Sequence, residues 1–561
     1  MSGKRKAGQD ELVFLPLGGA GEIGMNLYLY GLGPASARQW IIVDLGISFP
    51  GPELPGIEVV MPDTAFLEQM DGELLAIVLT HAHEDHYGAI PYLWPRLKVP
   101  VYATAFSAGL LRMKLHETGL EDEVPVHLLH QGERFKIGPF DLELITVTHS
   151  IPEPNALAIR TRQGNVLHSG DWRIDPDPVV GDKFDEARMR AFGAEGCRAV
   201  ICDSTNILSS RQAPSEAEIG KNLAKLVAEA EGRVAITTFA SNVGRILSVM
   251  RATKAAGRHL VLAGRSMHKF VALARETGLI PQQGELLSED DYGFLPREKV
   301  VLLCTGSQGE ARAALSRIAS GSHPRITLNK GDTVIFSSKT IPGNEKEIGA
   351  VENNLAALGI KTIHGSADFP VHVTGHPYCN EVERLYDMLK PEAAIPIHGE
   401  TLHLATHAER AREWGVKETV MARNGDLVRI APGKLEICGA APAGRLCLDG
   451  KITVPAENGP LRIRRRLNFA GAVVVFLAID KRGALADDPL FEVMGLPERD
   501  DYGDAMEDVI FEAIDEALDV VPRKRRQNTD TLAETVRRSV RRAVREAWGK
   551  KTECRVQIAR V

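Results

Sequence analysis

His81, His83, Asp85 and His86 fall within LAIVLTHAHEDHYGAI, where an apolar strand runs into a cluster of metal-ligating side chains. Extended backbone places alternate side chains on one side, so His81 and His83 can meet on one cation. Asp85 and His86 then turn toward a second cation about 3.5–4 Å away, the separation found in two-metal hydrolytic centres. Neutral imidazole and carboxylate suit zinc, with manganese or magnesium as substitutes. Two Zn2+ per chain are therefore the expected cofactors.

Metal sites in layered α/β proteins sit at strand ends, and three further strand-like runs end in a suitable residue. FDLELITVTHS ends in His149, NVLHSGDW carries Asp171, and AAIPIHGE ends in His398. His149 is expected to join His81 and His83 on the first metal, and His398 to join Asp85 and His86 on the second. Asp171 has two oxygens to give and is expected to bridge both. His130 and His168 are read as structural. The implied chemistry is hydrolysis by a hydroxide bridging the cations, which lower its pKa toward neutrality.

THAHEDH followed by a His, SGD and a late His resembles the metallo-β-lactamase superfamily. TTFASN, CTGSQGE, IPGNE, HVTGH and IPIHGE narrow the resemblance to the β-CASP nucleases, and within them to the bacterial ribonuclease J family. It extends from PLGGAGEIGMN at 16–26 to LCLDG at 446–450 and a C-terminal appendage. Ala82 departs from the glycine more frequent there, but a small residue is retained. The resemblance implies an α/β protein: a metallo-β-lactamase αββα sandwich interrupted by a β-CASP α/β domain, plus a small C-terminal α/β domain. It implies zinc-dependent hydrolysis of RNA phosphodiester bonds, 5′→3′ from a 5′-monophosphate end, with internal cleavage as a second mode, in maturation of ribosomal RNA and decay of mRNA.

The same resemblance assigns residues. The segment His372, Val373, Thr374, Gly375 and His376 corresponds to the one that binds the terminal nucleotide, with Ser337 and Ser338 completing the pocket. His376 stands beside the leaving group. Asp203, in ICDSTN, matches an acidic motif that orients a ligand or a catalytic histidine, so His376, Asp203 and Asp85 form the expected catalytic set. Ser241 with Arg245, and Arg265 with Ser266, sit at strand ends facing the expected cleft and are taken as contacts to the RNA backbone. Some relatives hold a hard cation such as Ca2+ near positions like Glu53 and Asp449; Gly51 and Pro52 remove ligands there, and the site is not counted on.

These residues need elements to hold them. Six ligands lie before residue 208 and His398 far beyond it, so the metal domain must be interrupted. Residues 1–208 and 366–447 are expected to form it, with 209–365 as the insertion. VAITTF, HLVLAG and KVVLLCTG alternate with helical stretches in that insertion, the rhythm of a parallel sheet. CTGSQGE, SSKTIPGNE and HVTGH follow apolar strands and can turn backbone N–H groups toward an anion. DGKITVPAENGPL, about 448–462, reads as a linker. Within 463–561, GAVVVFLAI reads as a buried strand and DAMEDVIFEAIDEALDVV as an acidic helix. In TLAETVRRSVRRAVREAWGKK, Thr531 and Glu534 read as a capping box, with Val536, Val540, Val544 and Trp548 on one face. The resemblance gives this last domain a role in forming a homodimer or homotetramer and leaves room for RNA-degradation partners.

The chain has 561 residues, too many for one ordinary core, and its 44% hydrophobic and 25% charged content is that of a globular protein. No apolar run approaches a membrane span, and MSGKRKAGQDE lacks the apolar core of a secretory signal. The 7 cysteines show no C-x-x-C pair and read as reduced thiols of a cytoplasmic protein. A net charge of −7 does not exclude nucleic acid, because binding depends on local basic stripes such as Arg462 with Arg464–Arg466, or Arg523–Arg526. Three rivals stand beside an RNA-cleaving enzyme: a DNA-directed β-CASP nuclease, a small-molecule hydrolase with no need of the insertion, and a catalytically inactive RNA-binding scaffold.

Overall fold

The apolar runs before residue 208 become strands such as Leu27–Gly33 and Gln39–Leu45, buried along nearly their whole length. That pattern requires a sheet covered on both faces. The structure, a computed structural model, describes residues 10–70, 72–282, 286–341, 343–457 and 459–561. The start of the stretch read for a leader, Pro342 of SSKTIPGNE and Asn458 of the expected linker lie outside the described residues.

Two mixed sheets form the first layers. One runs Glu436–Ala440, Asp426–Ala431, Glu11–Gly18, Leu27–Gly33, Gln39–Leu45, Glu73–Val78, Val101–Thr104, Val126–Leu129. The other runs Glu418–Thr419, Ala393–Ile397, Ala199–Asp203, Gly164–His168, Asn155–Thr161, Phe140–Thr146, Arg134–Ile137. Leu12, Phe14, Tyr30, Ile41 and Val78 of the first meet Leu144, Leu157, Val166, Ile201 and Ile395 of the second in one core. Helices cover the outside: Phe192, Leu385, Met388 and Ala411 pack on the far face of the second sheet, and Ala105–Thr118 lies against strands Val101–Thr104 and Val126–Leu129. Strands from both sides of the insertion enter both sheets, which is the interrupted sandwich the ligand order demanded.

The register explains where chemistry collects. Gly164–His168, Ala199–Asp203 and Ala393–Ile397 pair in parallel, with Asp203 opposite Ile397. Phe140–Thr146 and Gly164–His168 both run antiparallel to Asn155–Thr161. All four strands therefore end on the same edge, where Asp203 closes its strand and His149, Asp171 and His398 follow theirs.

Between them the chain forms a six-stranded, wholly parallel sheet in the order Leu286–Leu287, His259–Ala263, Val300–Cys304, Val234–Thr237, Thr333–Phe336, Lys361–His364. Buried helical side chains such as Leu315, Ile348 and Leu355 close its core. This domain and the sandwich belong to one unit, ending at Gly444; a second unit comprises Phe49–Val60 and Arg445–Val561.

In the second unit the described residues of the expected linker form regular elements. Arg445–Asp449 and Ile452–Pro455 form a hairpin around Gly450, and Gly459–Ala470 is a helix. Gly450 adopts φ 64°, so its glycine serves a tight turn, not flexibility. Strand Ala472–Ile479 pairs with Leu490–Met494 and Glu553–Arg560. It is buried on one face only: Val473, Val475 and Leu477 pack on the helices while Phe476 faces outward. The acidic helix Met506–Val520 and the basic helix Thr529–Trp548 pack together within the chain, with Arg542 paired to Glu516 at 2.6 Å. Val536, Val540 and Val544 are buried as the four-residue spacing requires, and Trp548 packs at the edge of their cluster. The capping box is not formed. Asn528 caps this helix by accepting from Thr531 N, because an Asn three residues earlier offers the stronger cap, and Glu534 pairs with Arg537 and Arg538 instead. Among the described residues no helix is long and apolar enough to cross a membrane.

Candidate metal centre and nucleic-acid site

Strand Glu73–Val78 stops short of the first histidine, and the motif continues as loop into one helical turn, Glu84–Tyr87, with His83 as its N-cap. His81 Nε2 lies 3.2 Å from His83 Nδ1, and His149 Nε2 lies 2.9 Å from the same atom. The outer nitrogens are occupied. His149 Nδ1 donates to the Gly375 carbonyl at 2.5 Å. His81 Nδ1 meets Thr80 Oγ1, which donates to Asp44. The inner nitrogens of His81 and His149 thus carry lone pairs and both face His83 Nδ1, a donor set that fits a cation. Burial holds His81 and His149 well below the usual histidine range, and His83 down to about 4, so all three are neutral imidazoles.

The second set adjoins it. His86 Nε2 lies 3.2 Å from Asp171 Oδ2, and His398 Nε2 lies 3.3 Å from Asp85 Oδ2. Asp171 Oδ2 also lies 3.8 Å from both His81 and His149. One carboxylate therefore reaches both groups of ligand atoms, His81–His83–His149 and Asp85–His86–His398. Burial lowers His398, but Asp171, Asp203 and Asp85 beside it raise it to about 10.

Asp203 is fully buried, with Oδ2 2.8 Å from His376 Nδ1 and Oδ1 accepting from Thr205 Oγ1 at 2.7 Å. The His376 ring stacks on His398, centroids 5.3 Å apart. Burial lowers the His376 imidazole, yet Asp203 and Asp171 outweigh it and raise it above its ordinary value.

Several positioning residues escaped the sequence reading. Asp44 accepts from His86 Nδ1 at 2.7 Å and from Thr80, fixing the His86 ring. Thr205 Oγ1 contacts His398 Nδ1 at 2.8 Å. Asn26 Nδ2 lies 2.9 Å from His86 Nε2. Asp44 and His398 both hold positive φ, 62° and 50°, which costs a non-glycine residue about 1–2 kcal/mol. Gly46 is required here: a Cβ would stand 1.6 Å from the Asp85 carbonyl oxygen. The one available signal was Asp44 ending the apolar run WIIVD.

The HVTGH segment abuts this cluster. A Cβ on Gly375 would lie 2.5 Å from His149 Cε1, so only glycine lets the segment approach. The N–H groups of Val373, Thr374 and Gly375 donate to no acceptor among the described residues. His372 Nδ1 is buried without a hydrogen-bond partner. Ser338 is half-buried, whereas its neighbour Ser337 corrects one expectation. Ser337 is fully buried and its hydroxyl donates to the Val371 carbonyl at 2.6 Å, so it holds the segment instead of facing a ligand. Arg245 is corrected likewise. It is fully buried and forks onto Glu216 at 2.6 and 3.0 Å, which removes it from any RNA contact. Ser241 is partly exposed, and Arg265 and Ser266 are exposed at the start of helix Arg265–Glu276. Asp449 is forked by Arg464 at 2.9 and 2.7 Å, which occupies the oxygens a hard cation would need.

A two-sheet sandwich with a His/Asp cluster at its edge, interrupted by a parallel α/β domain, defines a β-CASP metallo-hydrolase of the metallo-β-lactamase fold. Residues 26–201 match the metallo-beta-lactamase superfamily and 369–422 the Zn-dependent metallo-hydrolase RNA specificity domain. Residues 231–355 match the ribonuclease J beta-CASP domain and 459–561 the ribonuclease J C-terminal domain. Ribonuclease J of Sinorhizobium meliloti is 49% identical over 99% of this chain and 98% of its own. Those of Mycolicibacterium smegmatis and Thermus thermophilus are 38% and 35% identical, over 83% and 88% of this chain and 83% and 86% of theirs. The crystal structure of a protein of unknown function from Enterococcus faecalis shares the fold, with TM-score 0.54 at 16% identity, over 75% of this chain and all of that one. The chain belongs to the ribonuclease J family. It is a metal-dependent nuclease that binds RNA.

Proposed function

We propose that this enzyme is a two-zinc 5′→3′ exoribonuclease that prefers a 5′-monophosphate end, cleaves internally as a second mode, and acts in RNA maturation and decay in the cytoplasm. The observation that carries the reading is Asp171, within 3.8 Å of histidines of both ligand sets, beside a glycine-containing segment with unused N–H groups. His81, His83 and His149 would hold one divalent cation, Asp85, His86 and His398 the other, with Asp171 shared. Cations there supply activation of water and neutralisation of phosphoryl charge.

The chain's own residues do the rest. The N–H groups of Val373–Gly375, with His372 and Ser338, grip the terminal phosphate and set the first internucleotide bond over the ligand cluster. His376, held at Nδ1 by Asp203, gives a proton to the departing 3′-oxygen as the P–O3′ bond breaks. Oxygen from water stays on phosphorus, so the shortened RNA again carries a 5′-monophosphate and returns to the same pocket. Ser241 and Arg265 contact the following backbone. Reduced cysteines and the outward apolar face of the C-terminal sheet support a cytoplasmic homodimer or homotetramer.

Product analysis on 5′-end-labelled RNA, with DNA of the same sequence alongside, tests the reading. Release of labelled mononucleotides from RNA alone is expected. Internal fragments only would make the enzyme an endonuclease, equal cleavage of DNA a general nuclease, and a metal-free inert protein an RNA-binding scaffold.

A further inference from the structure

Segment Val371–His376 is held by its carbonyls. Arg173 Nη1 donates to Thr374 O at 3.3 Å, His149 to Gly375 O, and Asn206 Nδ2 to His376 O at 3.1 Å. At the other end Val371 O receives Ser337 Oγ at 2.6 Å and Arg245 Nη1 at 3.2 Å. Arg245 Nη1 also donates to the oxygens of Ser337, at 3.0 Å to O and 2.5 Å to Oγ. Its remaining donors fork onto Glu216, whose own N–H reaches Asp175, the partner of Arg173. One largely buried network thus joins Val371 to Thr374.

A fully buried guanidinium is weak evidence for stability, since desolvation offsets most of what its ion pair contributes. Its planar fork does impose geometry that lysine cannot reproduce. We infer that Arg245 is a positioning residue for 5′-end selectivity: by fixing Val371 and Ser337 it aims the N–H groups of Val373–Gly375 at the terminal phosphate. The inference rests on the phosphate-pocket reading above. Arg245 itself touches no RNA.

The test compares kcat and KM for RNAs of one sequence bearing a 5′-monophosphate or a 5′-hydroxyl, with metal content and melting temperature recorded. In Arg245→Met the monophosphate preference is expected to fall about 10- to 100-fold, the scale on which misplacing a positioned group acts. Arg245→Lys keeps a charge opposite Glu216 and should recover melting temperature more than preference. Ser337→Ala, which deletes one hydroxyl, keeps the test open if Arg245→Met does not fold, and should lower the preference by a smaller factor. Equal losses on both substrates, or an intact preference in Arg245→Lys and Ser337→Ala, would overturn the inference and leave the pocket standing. No preference in the unaltered enzyme would overturn the pocket reading, and the inference with it.

Discussion

Asp171 is the residue on which the ligand cluster turns, because its carboxylate faces histidines of both sets. Asp171→Ala is expected to lose metal and activity together while far-UV circular dichroism stays unchanged; two zinc ions per chain retained in that variant would refute the bridging role. Asp85→Ala and His86→Ala should empty mainly the second position. His376 belongs to a different step. His376→Ala should slow turnover by about 10²–10⁴-fold with normal metal content, and an unchanged kcat would leave it a binding or structural residue. The clustering of these residues was legible in the sequence because metal chemistry restricts residue type and spacing so sharply. Asp44, Thr205 and Asn26 were not, since each is a single polar residue whose meaning arises only when distant strands bring it beside a ligand.

At the level of elements, strand ends explain the site, and buried polar contacts anchor the loops after them. His407, on helix Thr401–Glu413, lies between Ser204 Oγ at 2.8 Å and Tyr386 OH at 2.9 Å, all three buried. Ser204 sits between Asp203 and Thr205, so this contact braces the two residues that steady His376 and His398. His407→Ala should cost about 1–3 kcal/mol for each hydroxyl left unpaired, read from chemical denaturation. A loss below about 0.5 kcal/mol would show that the hydroxyls find other partners. The parallel insertion was readable from its alternation of apolar runs and helices. The burial of Arg245 and Ser337 was not, because an Arg or Ser after a strand looks alike whether it faces a ligand or a carbonyl.

At the scale of the whole molecule, the interruption of the sandwich could be inferred from one late ligand, whereas the hairpin in the supposed linker could not. Its Pro and Gly signal a turn and a linker equally. The outward face of the C-terminal sheet exposes Phe476 by 44%, Leu490 by 69% and Met494 by 45%, with Phe476 directly opposite Leu490. Exposed apolar strands of this kind mark contact surfaces. The homo-oligomer proposed above is expected to dissociate to monomers in sedimentation velocity when Phe476→Asp and Leu490→Asp are combined, without a lower melting temperature. An unchanged oligomer would place the interface elsewhere.

On the proposed function, a phosphate pocket beside the candidate metal cluster selects the RNA end. The direct measurement is the exonucleolytic rate on one RNA prepared with a 5′-monophosphate, a 5′-hydroxyl or a 5′-triphosphate. In that reading a monophosphate would satisfy the N–H donors, a hydroxyl would leave them unpaired at about 1–3 kcal/mol each, and a triphosphate would bring added bulk and charge. The rates should fall in that order, while internal cleavage responds far less to the end. Equal exonuclease rates on monophosphate and triphosphate RNA would mean that Val373–Gly375 form no 5′-phosphate pocket.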